Sequence, residues 1–151
     1  MSSYFFGLYF SEKVSRQQLQ QKIQRLPDVK KGPEGPDHVW VGEVHLVFHD
    51  VDLEPMFRDI HQHTGMTTGK FSLGVGVHNR SQESTERMLD IILALSESQD
   101  FVAVYESESL MLWQKCGELT VDTVGLGRPT QDYLANKRPC HFAAIGPLLE
   151  G

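Results

Sequence analysis

The side chains of this chain that could do chemistry are histidines, thiols and carboxylates, and their spacing limits what each can do. Histidine comes first, with seven in the chain. His45 and His49 share one face of an extended stretch, two pleats apart. A metal reading would set His49, with Asp50 or Asp52, against His61 or His63. Zinc-binding sequences more usually show close Cys/His pairs on a turn or helix. No HEXXH is present, and His61 and His63, two apart on a helix, point their rings apart. These spacings predict surface histidines and no metal site. Cys116 sits in a turn-like QKCGE, and Cys140 lies beside His141 on an extended stretch, where neighbours face opposite ways. With no CxxC, two reduced thiols are expected rather than a catalytic dyad or a disulfide framework. G-x-S-x-G is absent. Gly74-Val-Gly76 lacks the third glycine and helix opening of a dinucleotide loop, and GLGRP at 125–129 has a proline where a phosphate loop cannot take one. No catalytic residue and no cofactor are expected.

Carboxylates remain. Asp50, Asp52 and Glu54 fall at a strand-to-helix junction, and Glu106 and Glu108 on a polar turn. Acid–base catalysis would require a cleft and shifted pKa values. Contact with a basic partner requires only exposure, so these five are the candidate partner-binding residues.

Composition bounds the class. The 151 residues are 40% hydrophobic and 23% charged, an ordinary globular balance and enough chain for one domain, 1–151, with a real core. The net charge of −6 argues against nucleic acid and is compatible with a basic protein partner. No apolar run approaches the ~20 residues that span a bilayer, and the start lacks the basic leading segment of a signal peptide. A cytoplasmic protein without membrane contact is expected.

The elements that position these groups follow from periodicity. YFFGLYF reads as a first strand. Ser15 caps a helix whose Leu19, Ile23 and Leu26 share one face, ended by Pro27. Residues 28–37 hold two prolines and two glycines and read as a loop. Around Gly42 the apolar phase changes, which favours a tight hairpin over one long strand with a bulge. A short helix follows, capped by Asp52, with Pro55 in its first turn, Met56 (or Phe57) and Ile60 inward and Gly65 closing it. KFSLGVGVH alternates apolar and small residues, so something must pack close on its glycine face. Residues 81–122 are the structural centre. Asn79 or Ser81 caps a helix with a broad stripe of Met88, Leu89, Ile91, Ile92, Leu93 and Leu95, and an antiparallel meander follows. Thr130 caps a last short helix, stopped by Pro139 before a final strand at an edge. The expectation is an α+β domain, a mostly antiparallel sheet with helices packed on one face.

The helix ERMLDIILALSES, the strand DFVAVY and the run SLMLWQKCGELTVD, preceded by KFSLGVGVH, resemble small α+β immunity proteins of bacterial toxin systems, particularly the Sit-type immunity proteins. The resemblance is one of pattern and covers residues 71–122. It matches at 89–95, 101–105, 110–113 and 117–119. It departs from the family's Asn-Gly-like turn, where this chain has Glu106-Ser107-Glu108-Ser109. The resemblance implies a cytoplasmic binding protein, not an enzyme, that docks on a cognate toxin and blocks its active or substrate-binding site. The rival expectation is a small-ligand or enzymatic domain, with a cleft beside the glycine face of 71–77 and His78 at its end. An adaptor subunit is a third.

Overall fold

The computed structural model describes residues 4–51, 54–79, 81–97, 99–105 and 109–145. The described elements in chain order are β1 (Tyr4–Phe10), α1 (Arg16–Gln24), β2 (Val29–Lys31), β3 (His38–Val41), β4 (Val44–Asp50), α2 (Glu54–Thr64), β5 (Phe71–Val77), α3 (Gln82–Leu95), β6 (Phe101–Tyr105), β7 (Ser109–Lys115), β8 (Glu118–Asp122), α4 (Arg128–Lys137) and β9 (Cys140–Ala143). The strands form one nine-stranded sheet in the order β2-β3-β4-β5-β1-β6-β7-β8-β9. Every pairing is antiparallel except β8 with β9. The fold is α+β, as the segregation of helices from antiparallel strands predicts.

Strand alternation sorts the side chains onto two faces. On the first face lie Phe6, Leu8 and Phe10 of β1, Val44, Leu46 and Phe48 of β4, and Leu73, Val75 and Val77 of β5. Against them pack Leu19 and Ile23 of α1, the stripe of α3, and Leu134 of α4. On the second face, Tyr9, Val102, Val104 and Leu110 pack with Met56 and Ile60 of α2 and with Met66. The expectation of helices on one face therefore holds for three of them, and α2 covers the other face over β1, β6 and β7. There Met56 and Ile60 pack against Tyr9, Val102, Val104 and Leu110.

Local signals act where the sequence places them. Ser15 and Gln18 form a reciprocal capping box at α1. Ser81 accepts from the Ser84 N–H at the start of α3. Gly42 takes φ +59 in the turn joining β3 to β4, so the hairpin replaces the long bulged strand. The loop expected at 28–37 contains a short edge strand, β2, where the Val29–Lys31 backbone pairs with β3. The last helix begins earlier than Thr130: Gly127 stands at its N-cap and Pro129 in its first turn, where a missing N–H costs nothing. The cap expected at Asp52 lies outside the described residues.

Two polar networks close the core. The Asp122 carboxylate, buried at the end of β8, accepts from the backbone N–H groups of Val124, Gly125 and Ile145 at 2.8–3.0 Å. It thereby ties the turn after β8 to the chain beyond β9. At the C-terminal end of α3, Arg138 donates to the Leu93 carbonyl and to Gln114, while Lys22 donates to the Glu97 carbonyl at 2.9 Å. Cations from α1 and from just after α4 thus meet the negative end of a helix that has none in its own last turn.

The glycine face of β5 is filled. A Cβ at Gly76 would lie 2.1 Å from the Phe5 ring, and one at Gly74 2.6 Å from it. Phe5 pairs with Gly76 across the β1–β5 ladder and lays its ring over both glycines. Gly76→Ala is expected to lower stability by roughly 1–3 kcal/mol, since it forces the ring off its site. The loss should shrink in a Phe5→Ala background, measured by urea unfolding of the four-member cycle. Equal losses in both backgrounds would mean that the ring is not what the glycine accommodates.

Candidate functional site

The same face, one and two strands over, carries the densest group of chemically capable side chains among the described residues. Pairing across β3, β4, β5 and β1 sets Trp40, His45, Gly76 and Phe5 in one row. His38 precedes Trp40 by two residues and so shares its face. The tight turn at Gly42 is what brings 38 and 40 back against 45 and 47.

Ring contacts order this group. Trp40 stacks on His45 with centroids 4.3 Å apart and planes 7° from parallel. His38 stacks on the same imidazole at 5.1 Å, and its Nδ1 lies 3.0 Å from His45 Nε2. Glu34, from the turn between β2 and β3, folds its carboxylate back over the pair. Its Oε2 is 3.5 Å from His45 Nε2 and 3.8 Å from His38 Nδ1. The Trp40 indole N–H donates to the Glu34 carboxylate at 3.1 and 3.4 Å. Gly32 makes room for that fold-back: a Cβ there would stand 2.5 Å from Glu34 Oε2. Glu34, His38 and His45 are together a set of three groups able to hold a metal ion.

Electrostatics single out His45. Burial holds its imidazole below the usual value, neighbouring His38 and the more distant His78 push it the same way, and Glu34 opposes them. His78 stands at the rim, its ring 6.0 Å from Trp40.

The residues expected from sequence fall elsewhere. Asp50 is exposed at the end of β4, pairs with Arg16 at 3.4 Å, and shares that guanidinium with Asp37. Arg16 also lies over the Phe48 ring, which places this pairing on the α1 side of the sheet. Glu54 is exposed in the first turn of α2. Asp52, Glu106 and Glu108 lie outside the described residues. Asp50 borders the α1 face at the end of β4, and Glu54 opens α2. His61 and His63 are exposed on α2, with His63 Nδ1 2.9 Å from the Asp59 carbonyl. Both thiols are free, and burial pushes Cys140 up, partly offset by Arg138. A cleft of about 530 Å³ beside Cys116 is lined by Asp100, which accepts from the Cys116 N–H, and by Gln114 and Arg138, which are engaged at the end of α3. Phe5 occupies the glycine face where a ligand cleft was the rival expectation.

No protein-family model, curated protein or solved structure matches the chain.

The sign of the His45 shift makes a pH prediction. A histidine whose folded pKa is depressed leaves the unfolded chain the better proton acceptor, so its stabilising contribution is present above the unfolded value of about 6.5. That contribution is lost as pH falls through the lower folded value. Urea midpoints measured from about pH 7.5 to about pH 5 should fall more steeply for the wild type than for His45→Gln. Parallel curves would show that another group governs this window.

Proposed function

We propose that this chain is an immunity-type binding protein that docks on a cognate bacterial toxin and blocks its active or substrate-binding site. The supporting observation is the β3–β4 part of the second sheet face. The apolar cluster under α2 draws on β1, β6 and β7, while β3 and β4 carry partly exposed His38, Trp40 and His45 and exposed His49. Small-molecule sites are concave and enclose their ligand. A broad sheet face with a half-buried tryptophan is better suited to a protein surface, where such aromatic anchors carry most of the binding energy.

Charge supports the same partner. The chain carries −6; Glu34 is exposed on the face beside Trp40, Asp50 at the end of β4 toward α1, and Glu54 at the start of α2. A basic toxin surface would be steered toward it, with the acidic residues acting on association rate more than on final affinity. The interface would bury about 1,200–2,000 Å², the ordinary size for a specific complex. The patterned likeness of residues 71–122 to Sit-type immunity proteins points the same way. No helix of the described residues is long and apolar enough to cross a membrane.

The test is co-expression with a toxin domain encoded next to this chain, reading growth rescue and co-purification. Rescue and a stoichiometric complex are expected. Trp40→Ala, once shown to fold, should weaken the complex by at least about 2 kcal/mol. Asp50→Lys and Glu54→Lys should chiefly slow association. Absence of rescue, or a complex indifferent to Trp40→Ala, would remove this reading or this face from it.

A further inference from the structure

We propose that Glu34, His38 and His45 form a binding site for a divalent transition-metal ion of zinc's class, with two imidazole nitrogens and one carboxylate oxygen as ligands. The inference rests on the triad itself and holds whether or not the face also meets a toxin.

Geometry carries it. The three donor atoms, His38 Nδ1, His45 Nε2 and Glu34 Oε2, stand 3.0, 3.5 and 3.8 Å apart. A circle through the corners of that triangle has a radius of about 2.0 Å, so one point lies a normal Zn–N or Zn–O bond length from all three. The donor separations are those of ligands sharing one ion at or just off that point. The ligand chemistry selects the class. Imidazole suits zinc, copper, nickel and cobalt, whereas magnesium and calcium prefer all-oxygen sets. Two histidines and one carboxylate leave a fourth position for water, or for a donor from a binding partner.

The surroundings hold the ligands in place, as outer groups of metal sites do. Trp40 acts on two of the three at once: its N–H bonds the Glu34 carboxylate and its ring stacks on His45. His38 and His45 come from paired strands joined by a tight turn, so the sheet sets their separation. Gly32 leaves the space into which the Glu34 carboxylate folds. The side chains of His38 and His45 are 30% and 15% exposed, which leaves the site shielded yet open to an incoming ion.

The experiment uses the untagged full chain, stripped with a chelator and titrated by calorimetry with zinc chloride alone, then with magnesium and calcium. One equivalent of zinc should bind, with no comparable binding of the other two. Glu34→Gln, His38→Gln and His45→Gln should each weaken zinc by at least about tenfold, and Trp40→Phe, which keeps a ring but loses the N–H, by about tenfold. Far-UV circular dichroism checks that each variant folds. Glu34→Gln alters an exposed turn residue and keeps the test open if a histidine variant does not fold. Cobalt should give the visible absorption of a four-coordinate site in the wild type and lose it in Glu34→Gln. The double variant His61→Ala, His63→Ala should bind zinc as the wild type does. Zinc binding that survives all three ligand substitutions, or that disappears with His61 and His63, would overturn the proposal.

Discussion

Burial of the α3 stripe is the interaction on which the first face of this molecule depends. Met88, Leu89, Ile92 and Leu95 are fully buried, each contributing on the order of 1.5–3 kcal/mol by leaving water. The helix rests on the middle of the sheet and touches both α1 and α4, which bring few buried side chains of their own: Leu19 and Ile23 from one, Thr130 and Leu134 from the other. Neither flanking helix has an apolar face wide enough to stand alone. Their polar ends reinforce the dependence, since Lys22 and Arg138 both reach toward the C-terminal end of α3. The helix is thus at once the largest block of the core and the place where segments before and after it are fastened.

The second face follows a different rule. Among the described residues one short helix, α2, packs on it, over Tyr9, Val102, Val104 and Leu110. What remains is too polar to draw a helix and too aromatic to be plain solvent-facing strand. Stacking replaces helix burial there. Phe5 lies on the glycines, Trp40 on His45, and His38 on His45 in turn. The glycines of β5 are the condition for this arrangement, because any side chain at Gly76 would compete with Phe5 for the same space.

Much of the fold was legible from local chemistry. YFFGLYF could be read as β1, Ser15 and Ser81 as caps, and the stripe of α3 as a buried face, because each signal is decided within a few residues. The side taken by α2 was not legible, since Met56 and Ile60 define a face but not the partner that receives it. β2 was hidden among prolines and glycines, and it exists only because β3 offers it an edge. The candidate site was half legible. A turn at Gly42 with period-two strands on either side already puts His38, Trp40 and His45 on one face. Helix-type spacings of histidine do not reveal a pair that lies across a hairpin. Glu34 could not have been found this way, because its place depends on the path of a glycine- and proline-rich turn and on a bond to Trp40.

The position of β1 in the sheet has a consequence for the order in which the protein can be built. This strand joins β5 on one side and β6 on the other, with Tyr4 opposite Val77 and Phe10 opposite Phe101. It is made before either partner. At a synthesis rate of roughly 5–20 residues per second, its aromatic row waits several seconds for β5 and longer for β6. The hairpin of β3 and β4 can close in microseconds once it emerges. The face with the histidines can therefore take shape early, while the two halves of the sheet stay separate until the oldest strand is drawn between them. That interval, with YFFGLYF unpaired, is when a chaperone would have most to hold.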